Sequence, residues 1–82
     1  MADVLRNHLY IKVDELAVPI STRNRLLEAG IVYVGDLVQK TENELLHMRK
    51  FGKVSLMIVN KALAKLGLEL GMTIPDWARN ED

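Results

Sequence analysis

Cysteine is absent, so neither a disulfide nor a thiolate-bound metal can hold this protein together, and at 82 residues its fold must rest on packing alone. Net charge is also missing: Lys plus Arg equal Asp plus Glu at 11 each, which leaves no overall field to announce a polyanionic partner. No uninterrupted apolar stretch approaches the roughly 20 residues of a membrane span, and the N-terminus lacks the basic start and apolar run of a signal peptide. These absences imply a cytosolic protein of one domain with no membrane partner. Signs of catalysis are equally scarce. His8 and His47 stand far apart with no acidic or cysteine partner at metal-ligand spacing, and there is neither a nucleophile elbow nor a G-x-x-x-x-G-K phosphate loop. Glu42 and Glu44, two residues apart, point to different faces of a helix and do not suit joint acid-base work. The expectation is a binding module with no metal, no cofactor and no chemistry of its own.

What charge there is lies unevenly. Between Ile20 and Lys65 there are eight basic residues against four acidic ones, so the centre of the sequence is +4 and the two ends together are −4. The centre is also where helical signals dominate. Pro19 fits a helix N-terminus with Ser21 or Thr22 as cap, and Ile20, Leu26, Leu27 and Ile31 follow at helix-compatible spacings up to the stop signal Gly30, which predicts a first helix over about Ile20 to Ala29. Val34, Leu37 and Val38 make a short second helix. Thr41-Glu42-Asn43-Glu44 is a capping box that starts a third. Leu56, Val59, Leu63 and Leu66 line one face of a fourth, longest helix, from about Lys53 to Leu66, with Gly67 just past its end. Before these, Leu9 to Val13 alternates like a weak strand with nothing to pair with; it is read as an extended arm laid over the core, followed by a turn at Val13 to Leu16. Trp77, the only tryptophan, is expected to cover one end of the core.

The stretch Arg49-Lys50-Phe51-Gly52-Lys53-Val54-Ser55 joins the third helix to the fourth through a basic, glycine-centred turn. Amides at a helix N-terminus, with the positive end of the dipole behind them, suit a phosphate. The plain structural alternative is that Gly52 merely ends a helix with positive φ.

Two tandem helical hairpins with a Gly-Lys turn resemble a helix-hairpin-helix DNA-binding domain, and particular residues narrow the resemblance. Val13 to Leu16, Asn24, Gly30-Ile31, Tyr33 to Glu42, Glu44 to Leu46, Phe51-Gly52-Lys53, Ser55-Leu56 and Gly67 to Met72 are similar, in order, to the C-terminal domain of the bacterial RNA polymerase alpha subunit. The similarity spans about residues 12–77. It implies an all-α, compact four-helix domain of two helix-hairpin-helix-like units over 13–77, with residues 1–12 as the arm left from a flexible tether and 78–82 as a loose tail. It also implies a bacterial, cytoplasmic and nucleoid-associated transcription module, joined to the rest of RNA polymerase, that binds A/T-rich upstream promoter DNA in the minor groove and meets transcription activators and sigma factor.

Carried over by position, the resemblance assigns DNA contact to Asn24, Gly52, Lys53 and Ser55. The family's groove-entering arginine is replaced by Ser21, and a lysine commonly found before the helix-four serine is replaced by Val54, so weakened DNA affinity is expected. Arg25, four residues after Ser21, shares that face and is the candidate to compensate. Asp14 and Glu15 match part of the surface that faces sigma, with Ala17 where another acid is usual; Glu42 and Asn43 match the surface that meets activators. Val54, Met57 and Ile58 fall away from the apolar stripe of helix four and, with Phe51, form a candidate exposed patch. Its plain alternative is packing beneath the arm. The competing function is a variant alpha domain used for protein contact or a weak homodimer through that patch.

Overall fold

The computed structural model describes residues 8–74 and Trp77. Among these residues four α-helices follow a single 3-10 turn, Val13–Glu15: α1, Ile20–Glu28; α2, Val34–Val38; α3, Glu42–Leu46; and α4, Lys53–Ala64. The domain is all-α, as expected. Residues 1–7 of the expected arm and the 78–82 tail lie outside the described residues.

α4 forms as its pattern demands. Val59 and Leu63 are fully buried, and Leu56 and Leu66 pack half-buried against the same core. Gly67, at φ +75°, turns the backbone so that the amides of Gly67 and Leu68 donate back to Ala64 and Leu63. α1 stops in the same way, with Gly30 at φ +80° and the Ile31 amide donating to Leu26. Its apolar face, however, departs from expectation. Leu26 and Ile31 are core, but Ile20 is 64% exposed and Leu27 37%, while Thr22 is buried. The cause is register: a helix beginning at Ile20 aligns Thr22 with Leu26 four residues on, and Ile20, two residues before Thr22, points elsewhere. Neither Ser21 nor Thr22 caps this helix, because Pro19 occupies the N-cap position and offers only its carbonyl, to Arg23.

The alternating stretch 9–13 does not extend. His8 and Leu9 are helical, and Lys12 makes one antiparallel bridge, to Tyr33, before Val13 enters the 3-10 turn. Two bonds support the bridge, Val13 N–H to the Val32 carbonyl and Val34 N–H to that of Ile11, both 2.8 Å. Burial still alternates, so Leu9 and Val13 complete the core. On the other side of α2 the C-terminal segment closes, the Met72 amide donating to Val38 and that of Gly71 to Lys40. Trp77 covers the core at α2: its indole N–H donates to Asp36 Oδ1 at 2.9 Å, and its ring meets Tyr10 and Tyr33. Asp36 Oδ2 accepts from the amides of Val32 and Tyr33, so one carboxylate ties three segments together.

The α3 capping box is present in both directions, Glu44 N–H to Thr41 Oγ1 at 3.1 Å and Thr41 N–H to Glu44 Oε1 at 2.9 Å. The Thr41 amide holds the Glu44 carboxyl below its ordinary pKa. A carboxyl depressed in the folded state stabilises fully above its unfolded pKa and loses that contribution as pH falls through the folded one. Glu44→Gln keeps an acceptor but no titrating group. Its melting temperature is therefore expected to fall less steeply than that of the unaltered protein on acidification through the carboxylate range; parallel curves would show that the cap does not titrate.

Candidate nucleic-acid interface

The turn between α3 and α4 is anchored from below. Phe51 is 4% exposed and belongs to the core, so it cannot be part of an exposed patch. Its large apolar ring outweighs its basic neighbours Arg49 and Lys50, both of which stay exposed. The left-handed residue of the turn is Lys50, at φ 59°, rather than Gly52. Gly52 is extended, with φ −115° and ψ −171°, a conformation open to any residue, and a Cβ built on it meets nothing within 4 Å. Neither backbone conformation nor internal packing calls for glycine there. Gly52 is the N-cap of α4, and it brings no side group to cover the helix end.

The helix ends fall into two kinds. α2 and α3 carry acids in their first turns, Asp36 in one and Glu42 and Glu44 in the other, and these carboxylates meet the positive end of each helix from within. α1 and α4, the two longest helices, have no acid in the first turn and no capping side group at Pro19 or Gly52. Their leading amides are left to solvent or to an outside anion. Around these ends stand Asn24 and Lys53, both exposed, and Ser55, half-buried. Ser21 and Val54, which replace the expected cations, are both exposed, Val54 at 71%.

Arg25 does not reach toward Ser21. Its guanidinium turns to the other end of α1 and donates to Glu28 at 3.2 and 3.4 Å. There it lines a shallow groove of about 130 Å³ with Met48 and Arg49, which places α1 beside the α3–α4 turn. The pair with Glu28 is on the surface, where such bridges contribute about 0–1 kcal/mol, so a phosphate can displace it.

The remaining positions separate. Asp14 and Glu15 are exposed on the 3-10 turn. Glu42 and Asn43 line a polar cleft of about 440 Å³ that the fold completes with Asn60 and Glu69, two residues the sequence did not single out. Asn60 donates to Glu42 Oε2 at 3.1 Å, a contact across 18 positions that no local motif announces. Met57, at 56%, remains exposed with Val54, while Ile58 is half-buried. The described part of the arm, residues 8–12, therefore does not cover Val54 or Met57. Among the described residues no group of three His, Cys, Asp or Glu side chains could hold a metal, and no helix is long and apolar enough to cross a membrane.

Residues 2–65, which include all four helices, match the family of the C-terminal domain of the bacterial RNA polymerase alpha subunit. The protein belongs to this family. An alpha C-terminal domain is a non-catalytic DNA-binding and interaction domain of the polymerase, so the protein's role lies in transcription by RNA polymerase. The matched span runs from before the Lys12–Tyr33 bridge to the last turn of α4, and so takes in both uncapped helix ends.

Proposed function

We propose that this alpha C-terminal domain holds A/T-rich upstream promoter DNA in the minor groove through Asn24, Arg25, Gly52, Lys53 and Ser55, more weakly than is usual for its family. The observation that supports this reading best is the contrast in helix ends: α1 and α4 leave their leading amides uncovered while α2 and α3 neutralise theirs. Uncovered amides backed by a dipole hold a phosphate oxygen, Lys53 adds a cation, and the open space over Gly52 lets a sugar-phosphate strand come close. Asn24 supplies a donor and an acceptor for a base edge or a backbone oxygen. The exposed Asp14 and Glu15 would face sigma factor, and the Glu42–Asn43 cleft would meet activators. This work would take place in the bacterial cytoplasm, on the nucleoid.

Ser21 tests the reading. An arginine there restores a cation beside the α1 end, and the Ser21→Arg variant is expected to bind an A-tract duplex about tenfold more tightly, with a salt slope steeper by about one phosphate contact. The measurement is a titration of both proteins against A-tract and mixed-sequence duplexes at low and moderate salt. If Ser21→Arg gains nothing and the unaltered domain already binds the A-tract tightly, the weakening argument is wrong; if neither protein binds either duplex, the interface is misassigned.

A further inference from the structure

The outer face of α4 carries a pattern that phosphate binding does not use. Val54, Met57, Lys61, Ala64 and Lys65 are all exposed and recur at three- and four-residue intervals, which sets them along one side of the helix. Val54 is 71% and Met57 56% exposed, so two apolar side chains of the first turns stand in water without cover. A phosphate backbone gives such groups no apolar surface to bury against. The charge of this helix is all basic: α4 has Lys53 and Lys61, with Lys65 as its C-cap, and not one acidic residue along Lys53–Ala64. Glu42 is the acid that reaches this helix from α3, and it is engaged by Asn60.

We propose that this face docks an acidic amphipathic helix of another protein, with Val54 and Met57 receiving its apolar residues and Lys61 and Lys65 pairing with flanking carboxylates. Charge selects this occupant over a second copy of the domain. A second copy brings no carboxylate: an antiparallel α4–α4 contact would lay Lys61 and Lys65 over the copy's Met57 and Val54, and a parallel one would set lysine against lysine. From Val54 to Lys65 the face is about 17 Å long at 1.5 Å per residue, which fits roughly three turns of a partner helix. The flexible thioether of Met57 suits apolar partners of varied shape. The proposal does not depend on the DNA reading: it uses none of the leading amides, and Val54, in the first turn of α4, enters only through its side chain.

The probe is a synthetic peptide of roughly 15 residues, blocked at both ends, with leucines at i, i+3, i+4 and i+7 and glutamates elsewhere; its control has the same composition with the leucines scattered. Binding is followed by chemical-shift changes of the protein amides, and circular dichroism shows whether each variant is folded. The expected result is binding in the range of about 10–100 µM, with shifts concentrated on α4. Met57→Ser is expected to weaken it about tenfold, as is Lys61→Glu with Lys65→Glu, and the control peptide to bind at least tenfold less well. Equal binding of the two peptides, or binding that salt abolishes and Met57→Ser leaves unchanged, means diffuse charge attraction and overturns the proposal. So does a concentration-dependent dimer that Met57→Ser dissociates in a domain deaf to the peptide, which makes the occupant a second copy. Loss of A-tract affinity in Met57→Ser with peptide binding intact assigns the face to DNA and overturns it as well.

Discussion

Phe51→Ala is expected to bring the domain to the edge of unfolding. Truncating a buried phenylalanine removes its transfer free energy and leaves a cavity, together about 3–5 kcal/mol, against a total stability of about 4–12 kcal/mol for a domain of this size. Phe51 is 4% exposed and sits in the same cluster as Leu45, Val59 and Leu63, so the loss falls where α3 meets α4. A thermal melt should show a drop of more than about 12 °C. Val54→Ala, three positions away at 71% exposure, should stay within about 0.5 kcal/mol of the unaltered protein. The reverse ranking would mean that the burial of the turn is wrong. Because Phe51 fixes the turn from which Gly52 and Lys53 emerge, Phe51→Leu should hold more stability than Phe51→Ala while loosening the turn above it.

Gly35→Ala has a sign that depends on a residue 42 positions away. An added Cβ at Gly35 would fall inside the van der Waals envelope of the Trp77 indole, at Cη2 and Cζ2. Either the indole leaves or α2 shifts, at about 1–3 kcal/mol, and departure also breaks the 2.9 Å bond from Trp77 to Asp36. The emission of the single tryptophan should move to the red as the ring enters water. In a Trp77→Ala background the clash is gone, and alanine is a better helix former than glycine by up to about 1 kcal/mol, so the same substitution becomes neutral or mildly stabilising. A cost that persists without Trp77 would place the constraint elsewhere.

Local signals in this sequence were legible because their physics is local. The Thr41–Glu44 capping box and the stops at Gly30 and Gly67 each span a few residues, the stripe of Leu56, Val59, Leu63 and Leu66 lies along one helix, and all of them formed. Burial of Phe51 was not legible, since the basic residues beside it are a surface signal and only the assembled core gives its ring a place. Nor was the pose of Arg25: spacing sets the side of a helix on which a residue stands, but Glu28 at the next turn decides which way the guanidinium swings. In the candidate interface the retained positions could be named from the sequence. That both of its helix ends are uncapped depended on Pro19, rather than Ser21 or Thr22, being the residue before α1.

The grip on α2 from both directions sets a condition on the order in which the fold is completed during synthesis. Ile11 and Val13 bond its N-terminal side, while the partners of Val38 and Lys40 are Met72 and Gly71. A growing polypeptide therefore emerges with one of its two shortest helices half-bonded, and α1, α3 and α4 can all leave the ribosome before α2 is closed. Only when residues 71–77 are free do the Val38 and Lys40 carbonyls find their donors and Asp36 Oδ1 the Trp77 indole. The contacts that close the domain thus join residues about 30 to 40 positions apart, separations more often met in sheets than in a small helical domain.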